Sequence, residues 1–277
     1  MIRLTPENLD TEVARLACRL PPFPSVVMEL LELTGDEEVS INIMVRLARN
    51  DPVILSGILA TANRLRRIHA QPDIHDPFVA ASLIGTNQLR RIVITAAMNK
   101  FAPEENGAEF LHNHTRAVAI VAHELAMLCD VSPDKAYVAA MLHDVGQLCF
   151  HIMDAIAFQD IYLQSATDGK LIEREAAYFG FDHAVIGSKL AEIWQLPADF
   201  VCAIRWHHAD DTVVCRLQAL INVAESLTRA LDIPPSPKNR LTKLNAKAVA
   251  ELGIDWNSPE MLDCFGRCRA RFHQALG

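Results

Sequence analysis

The chain has 277 residues, with 26 Lys and Arg against 34 Asp and Glu, so its net charge at neutral pH is −8. Hydrophobic residues make up 51% and charged residues 22%, which are the proportions of an ordinary folded protein and exclude a disordered or collagen-like chain. The acidic balance disfavours a general binder of nucleic-acid backbones. Aromatic residues reach only 6%, a composition that favours helices packed on helices over a β-sandwich.

Apolar residues recur at helical spacing through the first hundred residues. Asp51 followed by Pro52 predicts a helix start, since aspartate caps an N-terminus and proline fits the first turn. Ser40 predicts another helix start in the same way. The predicted helices of this half are 26–33, 41–47, 52–63, 77–84 and 86–100.

The second half has longer and more regular helical patterns. The sequence IPPSPK at 233–238 predicts a break without helix. No run alternates as a strand does, so we predict an all-α protein with an N-terminal half at 1–104, a helical core at 105–232, and a linker with a helical tail at 233–277. The predicted helices of the second half are 109–129, 133–151, 154–166, 171–179, 182–194, 197–208, 212–231 and 258–276.

The first residues of the chain, its apolar runs and its cysteines together indicate a cellular compartment. The first residues are charged and lack the apolar region of a signal peptide, and no run of residues is long and apolar enough to span a membrane. The 7 cysteines form no C-x-x-C pair, and most lie among apolar residues. We therefore expect a cytoplasmic protein without disulfides and without a membrane partner.

The 11 histidines contain the strongest functional signal. His143 and Asp144 are adjacent in MLHDVGQL, on a predicted helix with a buried stripe that includes Met141 and Leu142. An acid and a histidine buried there without partners are costly, and a metal ion removes that cost because it binds neutral imidazole and ionised carboxylate together. Other histidines and an acid fall at suggestive places on the predicted helices of the second half, and these are His114, His183, His207, His208 and Glu225.

These residues resemble the HDOD family, the HD-related output domains of bacterial signalling proteins. The resemblance runs from about Leu20 to Glu225. The motifs that carry it are LPPFPSVVMELLEL, NDPVILSGILATAN (50–63), LIGTNQLRRIV (83–93), HTRAVA from residue 114, LHDVG (142–146), FGFDHAVIG (179–187) and IRWHH (204–208). The wider HD superfamily contains metal-dependent phosphohydrolases and cyclic-dinucleotide phosphodiesterases, so the resemblance implies an HD-like helical core with an N-terminal helical subdomain packed on it.

The resemblance also implies roles for individual residues. His114 matches the first histidine of the HD motif, His143 and Asp144 match its pair, with Asp144 as the bridging ligand, and Glu225 falls at the distal acid. The extra histidines of two-metal members correspond to His183, His207 and His208. Such a set implies one or two divalent ions, with iron, manganese, zinc and nickel all compatible. If the protein is an enzyme, the resemblance assigns catalysis to His143, Asp144, His207 and His208.

Four departures from the superfamily pattern weigh against an enzyme. Gln147 stands where HD-GYP enzymes carry a lysine, and glutamine supplies no charge for a substrate phosphate. Glu225 is one methylene longer than aspartate. The Gly-Tyr-Pro signature is absent after His208, where Ala209 follows, and Phe110 replaces a further glutamate ligand.

Two functions therefore remain open. The first is a regulatory output module that contacts a signalling protein or a phosphorylated small molecule. The second is a divalent-metal phosphohydrolase of a nucleotide or cyclic dinucleotide. The histidine set itself has an alternative interpretation, as an internally hydrogen-bonded polar cluster without metal.

A nucleic-acid partner is not expected, although recognition of nucleic acid or of a partner through the basic residues of the first half stays a third, weaker hypothesis. The basic residues of the first half are interpreted as a solvated face or as local ion pairs, because no aromatic residues interleave with them. Those residues are Arg64, Arg66, Arg67, Arg90 and Arg91. The sequence predicts no oligomeric state.

Overall fold

The structure is a computed structural model that describes residues 3–32, 44, 51–101, 109–209, 212–233 and 244–276. Across these ranges the chain forms helices and no strand, so the predicted all-α fold is confirmed. The predicted helix at 41–47 with its cap Ser40 lies outside the described residues, as does most of the break at 233–238. In chain order the helices are α1 (Leu9–Ala17), α2 (Ser25–Glu32), α3 (Pro52–Ile68), α4 (Pro77–Phe101), α5 (Glu109–Ala126), α6 (Pro133–Leu142), α7 (Gly146–Asp168), α8 (Leu171–Phe179), α9 (His183–Ile193), α10 (Ala198–Trp206), α11 (Arg216–Ala230), α12 (Ala246–Leu252) and α13 (Pro259–Leu276).

The chain divides into two compact units. The main unit contains Met1–Pro22 and Glu104–Gly277, and the insert unit contains Phe23–Pro103. This division differs from the sequence-based one in placing α1, α12 and α13 with the second half of the chain. Within the described ranges, none of the helices combines the length and apolar character needed to cross a membrane.

The insert unit is built on α3 and α4, which pack on each other, with α2 packed against α4. Asp51 caps α3 by accepting from the backbone N–H of Val53, and Pro52 occupies the first turn, as predicted. Gly85, with a φ of 76°, interrupts α4 between the two helices predicted at 77–84 and 86–100. The ring of Phe23 meets that of Phe101 edge to face at 5.5 Å.

The main unit has its core among α5, α6 and α11, which pack on one another, with α9 and α10 beside them. The C-terminal helix α13 packs on α5, and α12 packs on α11. Ser132 caps α6 by accepting from the N–H of Lys135, and Pro133 fills the first turn, at the residue where the sequence predicts a helix to begin. The aromatic core beside α7 stacks Phe150 on Phe179 with ring centroids 4.1 Å apart.

The first residues of the chain belong to the main unit because they pack on its later helices. Helix α1 contacts α7 and α9. The backbone N–H of Leu4 donates to the carbonyl of Phe179 at 2.9 Å. At the next residue, Gly180, φ is 102°, and a Cβ would lie 2.0 Å from the Leu4 carbonyl oxygen. Only glycine fits there, both for its left-handed backbone and for its closeness to Leu4.

The helix predicted at 133–151 is wrong as a continuous element. Helix α6 ends at Leu142 and α7 begins at Gly146, so His143 and Asp144 lie in the turn between the two helices. Two backbone hydrogen bonds close this turn, each to the residue three positions earlier. The N–H of Val145 donates to the carbonyl of Leu142, and the N–H of Gln147 donates to the carbonyl of Asp144. Helix α7 is itself interrupted at Asp154, whose carboxylate accepts from the N–H of Ala157.

Candidate metal centre

The carboxylate of Asp144 lies between two groups of imidazoles. Its Oδ1 is 3.1 Å from His183 Nε2 and 3.4 Å from His207 Nε2. Its Oδ2 is 3.4 Å from His143 Nε2 and 3.7 Å from His114 Nε2. Each oxygen of one buried acid therefore faces its own set of ring nitrogens.

His208 extends the group on the Oδ1 side, with its Nε2 2.9 Å from that of His183. In each of the two groups, the donor atoms all lie within 4.8 Å of one another. The structure thus brings together every predicted ligand except Glu225. The two groups are Asp144, His183, His207 and His208 on one side, and His114, His143 and Asp144 on the other.

Backbone carbonyls orient two of the rings. His143 Nδ1 lies 2.6 Å from the carbonyl oxygen of Ala140, and His207 Nδ1 lies 2.8 Å from that of Ile204. A carbonyl only accepts, so each Nδ1 must carry a proton. In the neutral form of either ring the lone pair is therefore on Nε2, the nitrogen that lies beside Asp144.

Glu175 orients the third buried ring, and the sequence analysis missed it. Its Oε2 accepts from His183 Nδ1 at 2.6 Å and from the His183 backbone N–H at 3.0 Å. A signal for it existed in α8, where Leu171, Glu175 and Phe179 are spaced four residues apart and so share one helix face. A carboxylate on the second nitrogen of a histidine is the usual support of a metal-binding imidazole.

The charges of the cluster depend on burial and on neighbouring groups. Burial lowers the pKa of His143 to about 4, so this ring is neutral at neutral pH. Burial opposes ionisation of Asp144, but His143 and His183 outweigh it and hold the pKa of this carboxyl well below its usual range. Burial also opposes a charge on His183, yet Glu175 and Asp144 raise its pKa well above the ordinary value. A positive charge between these two carboxylates is strongly favoured, and either a proton or a bound cation provides it.

The donor set fits a divalent transition metal. His143 Nε2 and Asp144 Oδ1 are buried and have no hydrogen-bond partner among the described residues. Such atoms are costly unless something else binds them. Imidazole nitrogens with carboxylate oxygens suit iron, manganese, zinc and nickel, and the set selects none of these over the others.

Gly146 allows the elements that carry the site to approach closely. A Cβ on this residue would lie 2.1 Å from the carbonyl oxygen of His183 and 2.8 Å from the backbone nitrogen of Gly187. The first turn of α7 therefore touches the first turn of α9, and this contact brings Asp144 to His183. Asp182 caps α9 by accepting from the N–H of Val185 at 2.8 Å, which fixes the start of that helix.

Helix α11 supports the turn that carries His207 and His208. The Asn222 side chain donates from Nδ2 to the carbonyl of His207 at 2.8 Å. Gln218 donates from Nε2 to the carbonyl of Trp206 at 3.1 Å. Both polar side chains are buried, and they hold carbonyls at the C-terminal end of α10 in place.

Glu225 is placed beside the centre and outside both ligand groups. Its Oε1 accepts from Arg229 Nη2 at 2.5 Å, one helical turn later. Its Oε2 is 3.8 Å from His208 Nδ1, the nitrogen on the far side of the ring from His183. Burial opposes its ionisation, but Arg229 and the neighbouring histidines lower the pKa of Glu225. Gln147 is buried, and its Oε1 has no hydrogen-bond partner in the part of the chain that the structure describes.

The other polar residues singled out in the sequence have local partners. Arg67 makes a two-point contact with Asp73, and Arg66 donates to the carbonyl of Pro72, as expected for a solvated basic face. Glu124 on α5 is buried against the C-terminal helix. Its Oε2 accepts from Arg267 Nε at 2.6 Å, and Arg271 pairs with its Oε1. All 7 cysteines are free thiols.

The HDOD domain family matches residues 20–210 of the chain. The fold is also similar to that of an HDOD domain protein of unknown function from Geobacter sulfurreducens, with 20% identity, a TM-score of 0.66, and coverage of 98% of this chain and 95% of that one. A second crystal structure, named as a "putative phosphohydrolase" from Shewanella amazonensis SB2B, is 23% identical with a TM-score of 0.62, covering 95% of this chain and 93% of the other. At these identities the likeness shows the shared fold.

A curated relative from Treponema pallidum (strain Nichols), named as an uncharacterized protein, is 22% identical over 223 residues. The match covers 74% of this chain and 42% of that protein. The matched region therefore spans less than half the length of the curated relative.

Proposed function

Because the chain belongs to the HDOD family, we propose that it is a signalling output protein whose main unit binds one or two divalent metal ions around Asp144. The observation that carries this proposal is the position of the Asp144 carboxylate. Oδ1 faces His183 and His207, and Oδ2 faces His114 and His143. One acid shared between two imidazole groups is the arrangement that a bridged pair of cations requires.

The residues around Asp144 contribute orientation as well as ligands. Glu175 and two backbone carbonyls set the tautomers of His183, His143 and His207, so that their Nε2 atoms converge without reorganisation. A divalent cation at these atoms supplies positive charge for an anionic group of a bound molecule. The partly exposed rings of His114 and His208, with side chains 21% and 27% exposed, form the solvent edge of the centre.

Metal content tests the proposal directly. Wild-type protein purified without chelator and without a polyhistidine tag should contain one or two equivalents of a transition metal by elemental analysis. His143→Ala and Asp144→Ala should lose it while keeping the far-ultraviolet circular dichroism of a helical protein. His273→Ala, an exposed histidine on α13, is the matched control and should retain the wild-type content.

The result that contradicts the metal centre is folded wild-type protein that contains no metal and takes none up on dialysis against iron, manganese, zinc or nickel. The cluster would then be a hydrogen-bonded polar core, with His183 protonated between Glu175 and Asp144.

The output role has its own test. Partner capture by wild-type protein and by Asp144→Ala separates a docking function from a catalytic one. We expect a signalling partner to bind both forms, because a docking surface does not require turnover. Loss of a measured hydrolase activity together with loss of the biological output in Asp144→Ala would contradict the output role.

A second candidate function is a metal-dependent phosphohydrolase. The observation in its favour is the solvent edge of the centre, where a phosphoester could reach the ligand groups beside His114 and His208. Two observations place it second. Gln147 supplies no charge, and burial lowers the pKa of His208 well below its ordinary value, so this ring is a poor proton donor at neutral pH. A panel of nucleotides and cyclic dinucleotides with added manganese, iron or zinc tests this function, and absence of turnover would eliminate it.

A further inference from the structure

Arg229 stands at the solvent edge of the candidate metal centre. It lies on α11 one turn after Glu225, and its side chain is 43% exposed. Glu225 is 3.8 Å from His208, whose other nitrogen is 2.9 Å from His183. A short series of contacts therefore connects this guanidinium to the ring nitrogens that face Asp144.

The contact with Glu225 uses only part of the guanidinium. Arg229 donates from Nη2 to one carboxylate oxygen, and this is its one recorded hydrogen bond among the described residues. A guanidinium carries five N–H donors in a planar fork that matches the oxygens of a phosphoryl group. Because almost half of the side chain is exposed, the remaining donors can be reached from solvent.

An anionic group bound at the centre would need a positive charge that Gln147 does not supply. Gln147, one turn after His143, is neutral and buried, so it provides no cation for an anionic group. Arg229 on α11 pairs with one carboxylate oxygen of Glu225, and His208 of the centre faces the other oxygen. A cation fixed beside a metal centre is the element that binds the peripheral oxygens of a phosphoryl group.

We propose that Arg229 is a specificity-determining residue, and that it binds the phosphoryl group of a phosphorylated small molecule held at the Asp144 centre. This inference rests on the proposed metal centre and names the chemical class that the centre recognises. Glu225 holds the guanidinium in place through one oxygen and leaves the outer donors for the phosphoryl oxygens.

The experiment measures binding of inorganic phosphate to the full chain, in its metal-loaded and its metal-free form, by isothermal titration calorimetry. Arg229→Gln should weaken phosphate binding about tenfold or more in both forms, which corresponds to about 1.4 kcal/mol or more. Arg229→Lys keeps the charge without the planar fork and should give an intermediate loss. Metal content of each variant, measured in parallel, should stay at the wild-type value.

Two further variants separate recognition from structural roles. Arg216→Gln is the matched control, because Arg216 lies on the same helix, is 41% exposed and pairs with Glu251. Phosphate binding should not change in this variant. Glu225→Gln removes the competing negative charge and should tighten phosphate binding by the metal-free protein several-fold.

Three outcomes would overturn the inference. They are no detectable phosphate binding by either wild-type form, equal binding by wild type and Arg229→Gln, and equal weakening by Arg229→Gln and Arg216→Gln. Failure of the metal centre is a separate result, since it is seen as absent metal in wild-type protein. In that case the metal-free titrations still decide whether Arg229 binds phosphate.

Discussion

At Glu175 a carboxylate stands where the pattern of α8 predicts an apolar side chain. Its Oε2 accepts two hydrogen bonds from His183, one from the ring and one from the backbone. The first bond selects the tautomer and the second fixes where α9 begins. A single buried acid therefore sets both the ring orientation and the position of a ligand that lies eight residues later.

Replacing Glu175 by Gln should weaken metal binding by the main unit about 10–100-fold. The amide removes the negative charge that favours a cation at His183 Nε2, and its NH₂ group can donate where the ring also donates. Metal affinity is measured by competition with a chromophoric chelator. The control is Glu173→Gln, an exposed acid on the same helix, which should leave the affinity unchanged.

A purely structural role for Glu175 would give a different pattern. Both the melting temperature and the metal affinity would then recover in Glu175→Leu, which restores the apolar face of α8. The positioning role predicts that Glu175→Leu regains stability at best and still binds metal weakly.

Some residues of the candidate site could be predicted from the sequence, and others could not. His143 and Asp144 were predicted from residue type and position, because such side chains are rarely placed on apolar helices without a partner. The roles of the other histidines followed from the resemblance to the HDOD family. Glu175 was missed because its partner is set by the packing of α8 against α9, which no local pattern states. The position of Glu225 depends on a competition between Arg229 and the histidines, and that competition is decided only in three dimensions.

At the scale of elements, the contact of α7 with α9 determines whether the two ligand groups can share one acid. The contact is tight because neither Gly146 nor Gly187 has a side chain. Added at Gly146, a Cβ would overlap backbone atoms, which cannot rotate away as a flexible side chain can.

Gly146→Ala should therefore destabilise the main unit by about 3 kcal/mol and lower its metal content, because the added methyl separates the two helices. Urea unfolding gives the free energy, and elemental analysis gives the metal. Gly266→Ala is the contrasting variant, since Gly266 is an exposed position of α13 with no atom within 4 Å of the added Cβ. It should stabilise the protein by about 0.5–1 kcal/mol. Equal effects of the two substitutions would show that the α7–α9 contact is not tight.

The C-terminal helix α13 is attached to α5 by charge as well as by apolar packing. Burial opposes ionisation of Glu124, but His123, Arg267 and Arg271 outweigh it and lower its pKa to about 2, from an ordinary value of 4.5. A carboxyl with a lowered folded-state pKa stabilises the fold above its unfolded pKa and loses that contribution as pH falls toward the folded pKa.

Glu124→Gln should cost about 1–3 kcal/mol at pH 7, because it leaves two arginines beside an uncharged amide. The difference in unfolding free energy between wild type and this variant should be full above pH 4.5 and should shrink as the pH falls toward 2. Urea unfolding at a series of pH values measures it. Glu251→Gln is the control, because Glu251 is an exposed acid that pairs with Arg216, and it should show a much smaller difference. A difference between wild type and Glu124→Gln that grows as the pH falls would contradict the prediction.

Helix starts and breaks were predictable wherever they depend on residues close together in the sequence. Asp51 with Pro52, Ser132 with Pro133, and the interruption at Gly85 each depend on backbone chemistry that the sequence states directly. The turn at His143 was not predictable in this way. Its residues keep helical dihedral angles and apolar neighbours, so the periodicity continues through a point where the hydrogen bonds tighten and the ligands are placed.

For the whole molecule, the main unit is discontinuous in sequence, and residues 3–22 complete it. The chain's 3 tryptophans are Trp194, Trp206 and Trp256, all of which belong to this unit. Tryptophan fluorescence therefore reports on the main unit alone, while circular dichroism reports on both units. The two signals can be compared in one protein.

Val13→Ala tests the contribution of α1. Val13 is fully buried in the main unit, so the truncation should cost about 2 kcal/mol and should lower the urea midpoint of the fluorescence signal. Val79→Ala, in the insert unit with its side chain 54% exposed, should leave that midpoint unchanged. A fluorescence midpoint that is the same for Val13→Ala and wild type would show that α1 does not support the main unit.

The bond between Leu4 and Phe179 has a consequence for the order of events during protein synthesis. The ribosome releases α1 before the helices on which it packs, and those helices follow only after the whole insert unit has been made. The insert unit has its own local helix pairs and can fold in that interval, while the apolar face of α1 stays exposed. Completion of the main unit therefore requires a long-range loop closure late in synthesis, and we expect a chaperone to protect α1 until that closure occurs.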